Sequence, residues 1–150
     1  MSMTEKQFWE IISLFNWKKT GNDDAVIKPA IVALSKLSVE DIIQFENLLA
    51  EKLFALDTKA HAQEIGEDAY KGDDKPFSVD WFLYSRCCVV ANGEQYYLRA
   101  LADPKRMSKD MEFEAILSVA REAYKKKTHK EFEHYPIVSY ETFSNKNGWQ

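Results

Sequence analysis

Val79-Asp80-Trp81-Phe82-Leu83-Tyr84-Ser85-Arg86-Cys87-Cys88-Val89-Val90-Ala91 is the stretch on which the fold turns. Ten of its thirteen residues are apolar or aromatic; Asp80, Ser85 and Arg86 are the exceptions. A segment apolar nearly all the way round is buried on several sides. Ser78 ahead of it offers an N-cap oxygen, and Asn92-Gly93 behind it can end a helix. The stretch therefore reads as a central helix wrapped by the other elements.

The chain has 150 residues, the size of one ordinary domain, and 1–150 is expected to form a single helical domain. Hydrophobic residues make up 45% and charged residues 29%, a globular balance. Four Trp, seven Tyr and nine Phe supply a core without metal or disulfide staples, and five Gly and four Pro are too few for a sheet-rich fold with many tight turns. The expected class is all-α: about six helices around 79–91, with a C-terminal arm.

The net charge of −4 argues against nucleic acid as the main partner, which needs a basic footprint. Cys87 and Cys88 are the only cysteines. Neighbours on one helix point to different faces, which suits a mutual disulfide poorly. They read as buried free thiols, compatible with a reducing compartment and hence a cytoplasmic protein. No stretch approaches the roughly 20 apolar residues needed to span a bilayer, and no secretory signal is visible at the start.

Working outward, Thr4 and Gln7 have capping-box spacing, and Phe8, Ile11, Ile12 and Phe15 share a face, so a first helix is expected to about Asn16. A second starts at Asp23 or Asp24, or near Lys28 if Pro29 is confined to a first turn. The third, over 39–56, has the boldest stripe and a Ser38/Asp41 cap; a continuation is expected within 59–65. Residues 66–76 read as an exposed acidic loop. A short helix follows over 95–102 and ends at Asp103-Pro104. The last is expected to open at Ser108 or Met111 and to bury Phe113, Ile116, Leu117, Ala120 and Tyr124. Lys125, Lys126 and Lys127 read as its solvated C-terminus. Residues 132–150 carry too many large apolar groups to float free and should lie across the helices.

Arg86 is the most informative polar residue, because a guanidinium in an apolar helix needs a partner. Asp80, Asp103, Glu112 and Glu114 are its acidic candidates. The alternative is a guanidinium held in a pocket for an anionic ligand, with Asp80, Tyr84, Tyr96 and Glu114 as neighbouring binding residues. Asp80 and Glu114 are also the carboxylates nearest apolar surroundings, where proton transfer would be tuned. His61, Glu64 and Asp68 stand at i, i+3 and i+7, but Gly66 interrupts them and they read as surface residues, as do His129 and His134. The loop over 67–74 lacks calcium-loop order. No nucleophile elbow, dinucleotide fingerprint, P-loop or zinc-protease motif is present, so no catalytic residue, metal or cofactor is assigned.

Trp81 to Gly93, Tyr96 or Tyr97, Ala100-Leu101-Ala102-Asp103-Pro104, Glu114, Val119-Ala120 and Ala123-Tyr124, together with Phe8-Trp9 near the start, resemble the bacterial family called domain of unknown function 4240. Arg86 and Gly93 match its core pattern, while Ser85 and Cys88 stand where Phe and Trp are usual. The similarity covers about 3–132 and leaves 133–150 as a packed tail. The resemblance implies a helical fold and a bacterial origin, and no activity.

With no catalytic set and abundant aromatics, the expected function is a small protein-interaction or adaptor module with an unknown protein partner and no membrane. A ligand-binding protein or enzyme with a pocket near Arg86 is the alternative. A DNA-associated regulator using Lys125, Lys126, Lys127 and Lys130 is the weaker one.

Overall fold

A computed structural model describes residues 3–150. Among these there are seven α-helices and no strand: α1 Glu5–Ile12, α2 Asp23–Ser35, α3 Val39–Ala55, α4 Lys59–Ala62, α5 Val79–Ala91, α6 Glu94–Ala102 and α7 Val119–Thr128. The chain divides into two compact units, one of residues up to Leu49 with Ala115–Ile137, the other of Ala50–Glu114 with Val138–Gln150.

The first unit holds α1, α2, the first turns of α3, and α7. Thr4 Oγ1 accepts from Gln7 N–H, and the Gln7 side chain accepts from Thr4 N–H at 2.8 Å, so the expected capping box starts α1. The helix stops at Ile12 rather than near Asn16. Ser13 Oγ–H turns back onto the Glu10 carbonyl at 2.6 Å, and Asn16 N–H leaves for Val26 at 2.9 Å. α2 packs on α1 and α7. It begins at Asp23, capped by Asn22 Oδ1 accepting from Ala25 N–H at 3.2 Å, so Pro29 lies well inside it. Pro29 is tolerated because it sits on the exposed side, where the one missing amide bond faces water. α3 has the expected cap, with Ser38 Oγ accepting from Asp41 N–H and Asp41 Oδ2 accepting from Ser38 N–H. Phe8, Val26, Ala30, Leu34, Ile42, Phe45 and Val119 form the core, with the Phe8 and Phe45 rings 4.9 Å apart.

The second unit is built on α5, which has the expected bounds and the expected cap: Ser78 Oγ accepts from Trp81 N–H at 3.0 Å. Nine of its residues are buried, from Phe82 and Leu83 through Ser85 to Ala91. At about 1.5–3 kcal/mol for each large apolar side chain removed from water, this helix anchors the unit. Gly93 follows at φ +102, a left-handed turn that glycine adopts without strain, and opens α6. The 66–76 segment is a loop, as expected, but Ala69 and Tyr70 within it are buried.

The last helix begins later than the sequence suggests. Residues 108–113 are not helical because their polar groups are engaged elsewhere. Asp110 N–H donates to Ile65, Phe113 N–H to Tyr84, and Ser85 Oγ–H to Met111. A 3-10 turn at Glu114–Ser118 then leads into α7. The tail divides too. Phe132 stacks on Tyr124 at 5.2 Å in the first unit, Tyr135 and Ile137 stand 86% and 97% exposed, and 138–150 packs on the second unit. The tail was expected to lie across the helices as one piece; Tyr135 and Ile137 stand out from it, exposed, between its two parts.

Candidate functional site

Two fully buried charges lie at the heart of the second unit. Arg86 and Asp57 are both 0% exposed. Arg86 Nη1 donates to the Leu53 and Tyr140 carbonyls at 2.9 Å each, and Nη2 donates to Thr142 Oγ1 at 3.0 Å. Its guanidinium carbon lies 4.6 Å from the Phe82 ring centre, a cation–π distance, and its Nε–H has no partner. The acidic partner expected for it is not there: none of Asp80, Asp103, Glu112 or Glu114 bonds to Arg86. Carbonyls and a threonine take their place. Burial pulls the Arg86 pKa down, with Asp57 first among the charges that oppose this.

Asp57 is the counterpart that composition could not single out. It follows α3 and accepts from Phe143 N–H at 3.2 Å, Asn145 N–H at 3.0 Å and Trp149 Nε1–H at 2.7 Å. Phe77, Phe143 and Trp149 pack on one another, with Phe143 and Trp149 ring centres 4.5 Å apart. Arg86 and Asp57 between them grip the C-terminal arm from Tyr140 to Trp149.

Of the other expected binding residues, Asp80, Tyr84 and Glu114 come together. The Tyr84 hydroxyl pKa is raised, first by desolvation, then by its bond to Glu114 and the charge of Asp80. Asp80 and Glu114 are exposed and Tyr84 half-buried, so this is a surface patch. Tyr96 is elsewhere, bonded through its hydroxyl to Ser108 Oγ at 2.8 Å. Arg86, one turn after Phe82 and stacked on its ring, joins neither group.

His61 is a core residue rather than a surface one, 5% exposed. Nε2–H donates to the Ala100 carbonyl at 2.8 Å and Nδ1 accepts from the Thr58 hydroxyl at 2.6 Å, which fixes the neutral tautomer. Burial lowers its pKa. Thr58-x-x-His61, a cap spacing, was the available signal. Among the described residues no group of three His, Cys, Asp or Glu is placed to hold a metal ion. Cys87 and Cys88 are buried free thiols whose pKa values burial pushes up, which makes poor nucleophiles of them.

The first unit carries two features that the sequence reading missed. Glu46, on α3 and 8% exposed, has an unpartnered Oε1, and burial raises its pKa to about 7 against the opposing charge of Arg121. A groove of about 570 Å3 runs along α2, walled by Leu14, Pro29, Val32 and Ala33. Lys19, Lys28 and Lys36 border it, and no carboxylate lines it. A neighbouring depression of about 410 Å3 shares Leu14 and Ala33 with it and continues toward Gln7, Glu10 and Leu37. Lys28, Val32 and Lys36 recur every four residues, the signal that could have found this face. Such a trough has the apolar floor and charged rim that accept an amphipathic segment.

No helix among the described residues is long and apolar enough to cross a membrane. Neither a curated protein nor a solved structure matches the chain. A family model does, over residues 3–126, and so the chain belongs to the family described as "Protein of unknown function (DUF4240)".

Proposed function

We propose that this protein is an interaction module whose docking face is the groove along α2, and that its partner presents an acidic amphipathic helix. The observation that carries this reading is the lysine border on an apolar trough in a chain of net charge −4. Leu14, 42% exposed, is the natural apolar anchor on that face. Helix-in-groove recognition places apolar anchors at helical spacing on the floor and leaves charge to the rim. Three lysines without a lining carboxylate select against basic partners and speed encounter with acidic ones.

The test is a titration of the full chain with a synthetic Leu/Glu amphipathic helix, followed by amide shifts. Saturable binding is expected, with shifts centred on Leu14, Val32 and Ala33. It should weaken at least tenfold in Val32→Glu and fall steeply with added salt. Absence of binding, or shifts centred on α7, would contradict the proposal.

A further inference from the structure

The C-terminal arm behaves as a ligand rather than as core. No residue of 138–150 is buried, whereas the two charges beneath the arm, Arg86 and Asp57, are fully buried. The arm is held largely through groups that any extended peptide possesses. Arg86 reads the Tyr140 carbonyl, and Asp57 reads the amides of Phe143 and Asn145. Three further features give sequence selectivity. Thr142 Oγ1 accepts from Arg86 and donates to the Val79 carbonyl at 2.8 Å. Trp149 places its indole N–H on Asp57 and its ring against Tyr70, Phe77 and Phe82. Gly148 passes so close to the cleft wall that a Cβ there would lie 2.7 Å from the Asp57 carbonyl oxygen.

The arm also lies beyond the family match, which ends at residue 126, whereas Arg86 and Asp57 lie within it. Arg86 Nε–H is a buried donor left without a partner while the arm is in place, so the occupant does not use every group the cleft offers. Residues 131–136, ahead of the arm, have no regular structure; Phe132 on Tyr124 and His134 Nε2 on Asn47 Oδ1 at 2.8 Å hold their start, and exposed Tyr135 and Ile137 lead into the arm. A segment joined through an irregular linker to a site made of main-chain-reading charges can leave and be replaced.

We propose that Arg86 and Asp57 form the floor of a peptide-binding cleft, and that this cleft exchanges its own 138–150 segment for that of a second copy. Its ligand is an extended peptide with a threonine, a glycine and a tryptophan in the Thr142, Gly148 and Trp149 positions. The arm in place is the cleft's resting occupant.

The experiment uses the full chain carrying Gly148→Ala, which weakens the resident arm by crowding the Asp57 carbonyl and leaves the Arg86 and Asp57 side chains in place. A fluorescent synthetic peptide of residues 138–150 in the natural sequence is titrated into it and into the unaltered chain. The expected result is saturable binding to Gly148→Ala, at least tenfold tighter than to the unaltered chain, whose own arm competes. A peptide carrying Trp149→Ala should bind the Gly148→Ala chain at least tenfold more weakly. No saturable binding, or equal binding of the two peptides, overturns the proposal. If circular dichroism shows Gly148→Ala unfolded, hydrogen exchange on the unaltered chain decides. The Phe143 and Asn145 amides should exchange at least a hundredfold faster than those of Val89 and Val90 in α5. Equal rates would mean that the arm opens only when the unit unfolds, and would overturn it equally.

Discussion

Trp149 donates its indole N–H to Asp57 Oδ1 at 2.7 Å across 92 residues of chain. The same carboxylate accepts two arm amides, so a single buried side chain closes the second unit. Three N–H donors converging on one carboxylate are charge-assisted bonds, each worth more than a neutral one.

Asp57→Asn keeps the shape but turns an amide NH2 toward donors. It is expected to cost about 2–4 kcal/mol, the scale for disrupting a buried charged hydrogen-bond group. Urea unfolding measures the loss, and the emission of Trp149 should shift toward that of a solvated indole. An unchanged midpoint would contradict the anchoring role.

Glu46 makes stability depend on pH in an unusual direction. Its folded pKa, about 7, exceeds the unfolded value of 4.5, so the folded state keeps a proton that the unfolded state loses. Its stabilising contribution is complete below pH 4.5 and is lost as pH rises to about 7. The loss amounts to roughly 3 kcal/mol at about 1.4 kcal/mol per pKa unit. His61 acts oppositely. Its folded pKa is depressed, so its contribution is present above the ordinary histidine value of 6.5 and lost as pH falls below it. Glu46→Gln should therefore be more stable than the natural chain at pH 8 and should expose the His61 slope alone. Parallel urea profiles for the two proteins from pH 5 to 8 would refute this.

Cys87 and Cys88, 0% and 3% exposed, should resist thiol reagents in the native state. Burial both blocks access and disfavours the thiolate. At pH 8, labelling by an aromatic disulfide reagent is expected to be at least a hundredfold slower than in denaturant. Rapid native labelling would show that α5 is not enclosed.

What the sequence made legible, and what it hid, follows from where the information lies. The bounds of α5 were readable because Ser78, an apolar run and Asn92-Gly93 are local signals. The same holds for the caps of α1 and α3. The start of α2 was partly hidden, because whether a proline is tolerated inside a helix depends on which face meets water. The partners of Arg86 were invisible, since two are main-chain carbonyls, which every residue carries. His61 was misplaced because the acceptor of its Nε2–H belongs to Ala100, 39 residues on. The groove left a trace in Lys28, Val32 and Lys36, but only folding shows that no other helix covers that face.

The central structural claim is that the arm, through Tyr140 and Thr142, holds the buried guanidinium of Arg86 where a carboxylate was expected. The direct measurement is a double-mutant cycle of Arg86→Met and Thr142→Val in urea unfolding. A coupling energy of about 1 kcal/mol or more is predicted for a charge-assisted bond. Additivity within about 0.3 kcal/mol would contradict the claim.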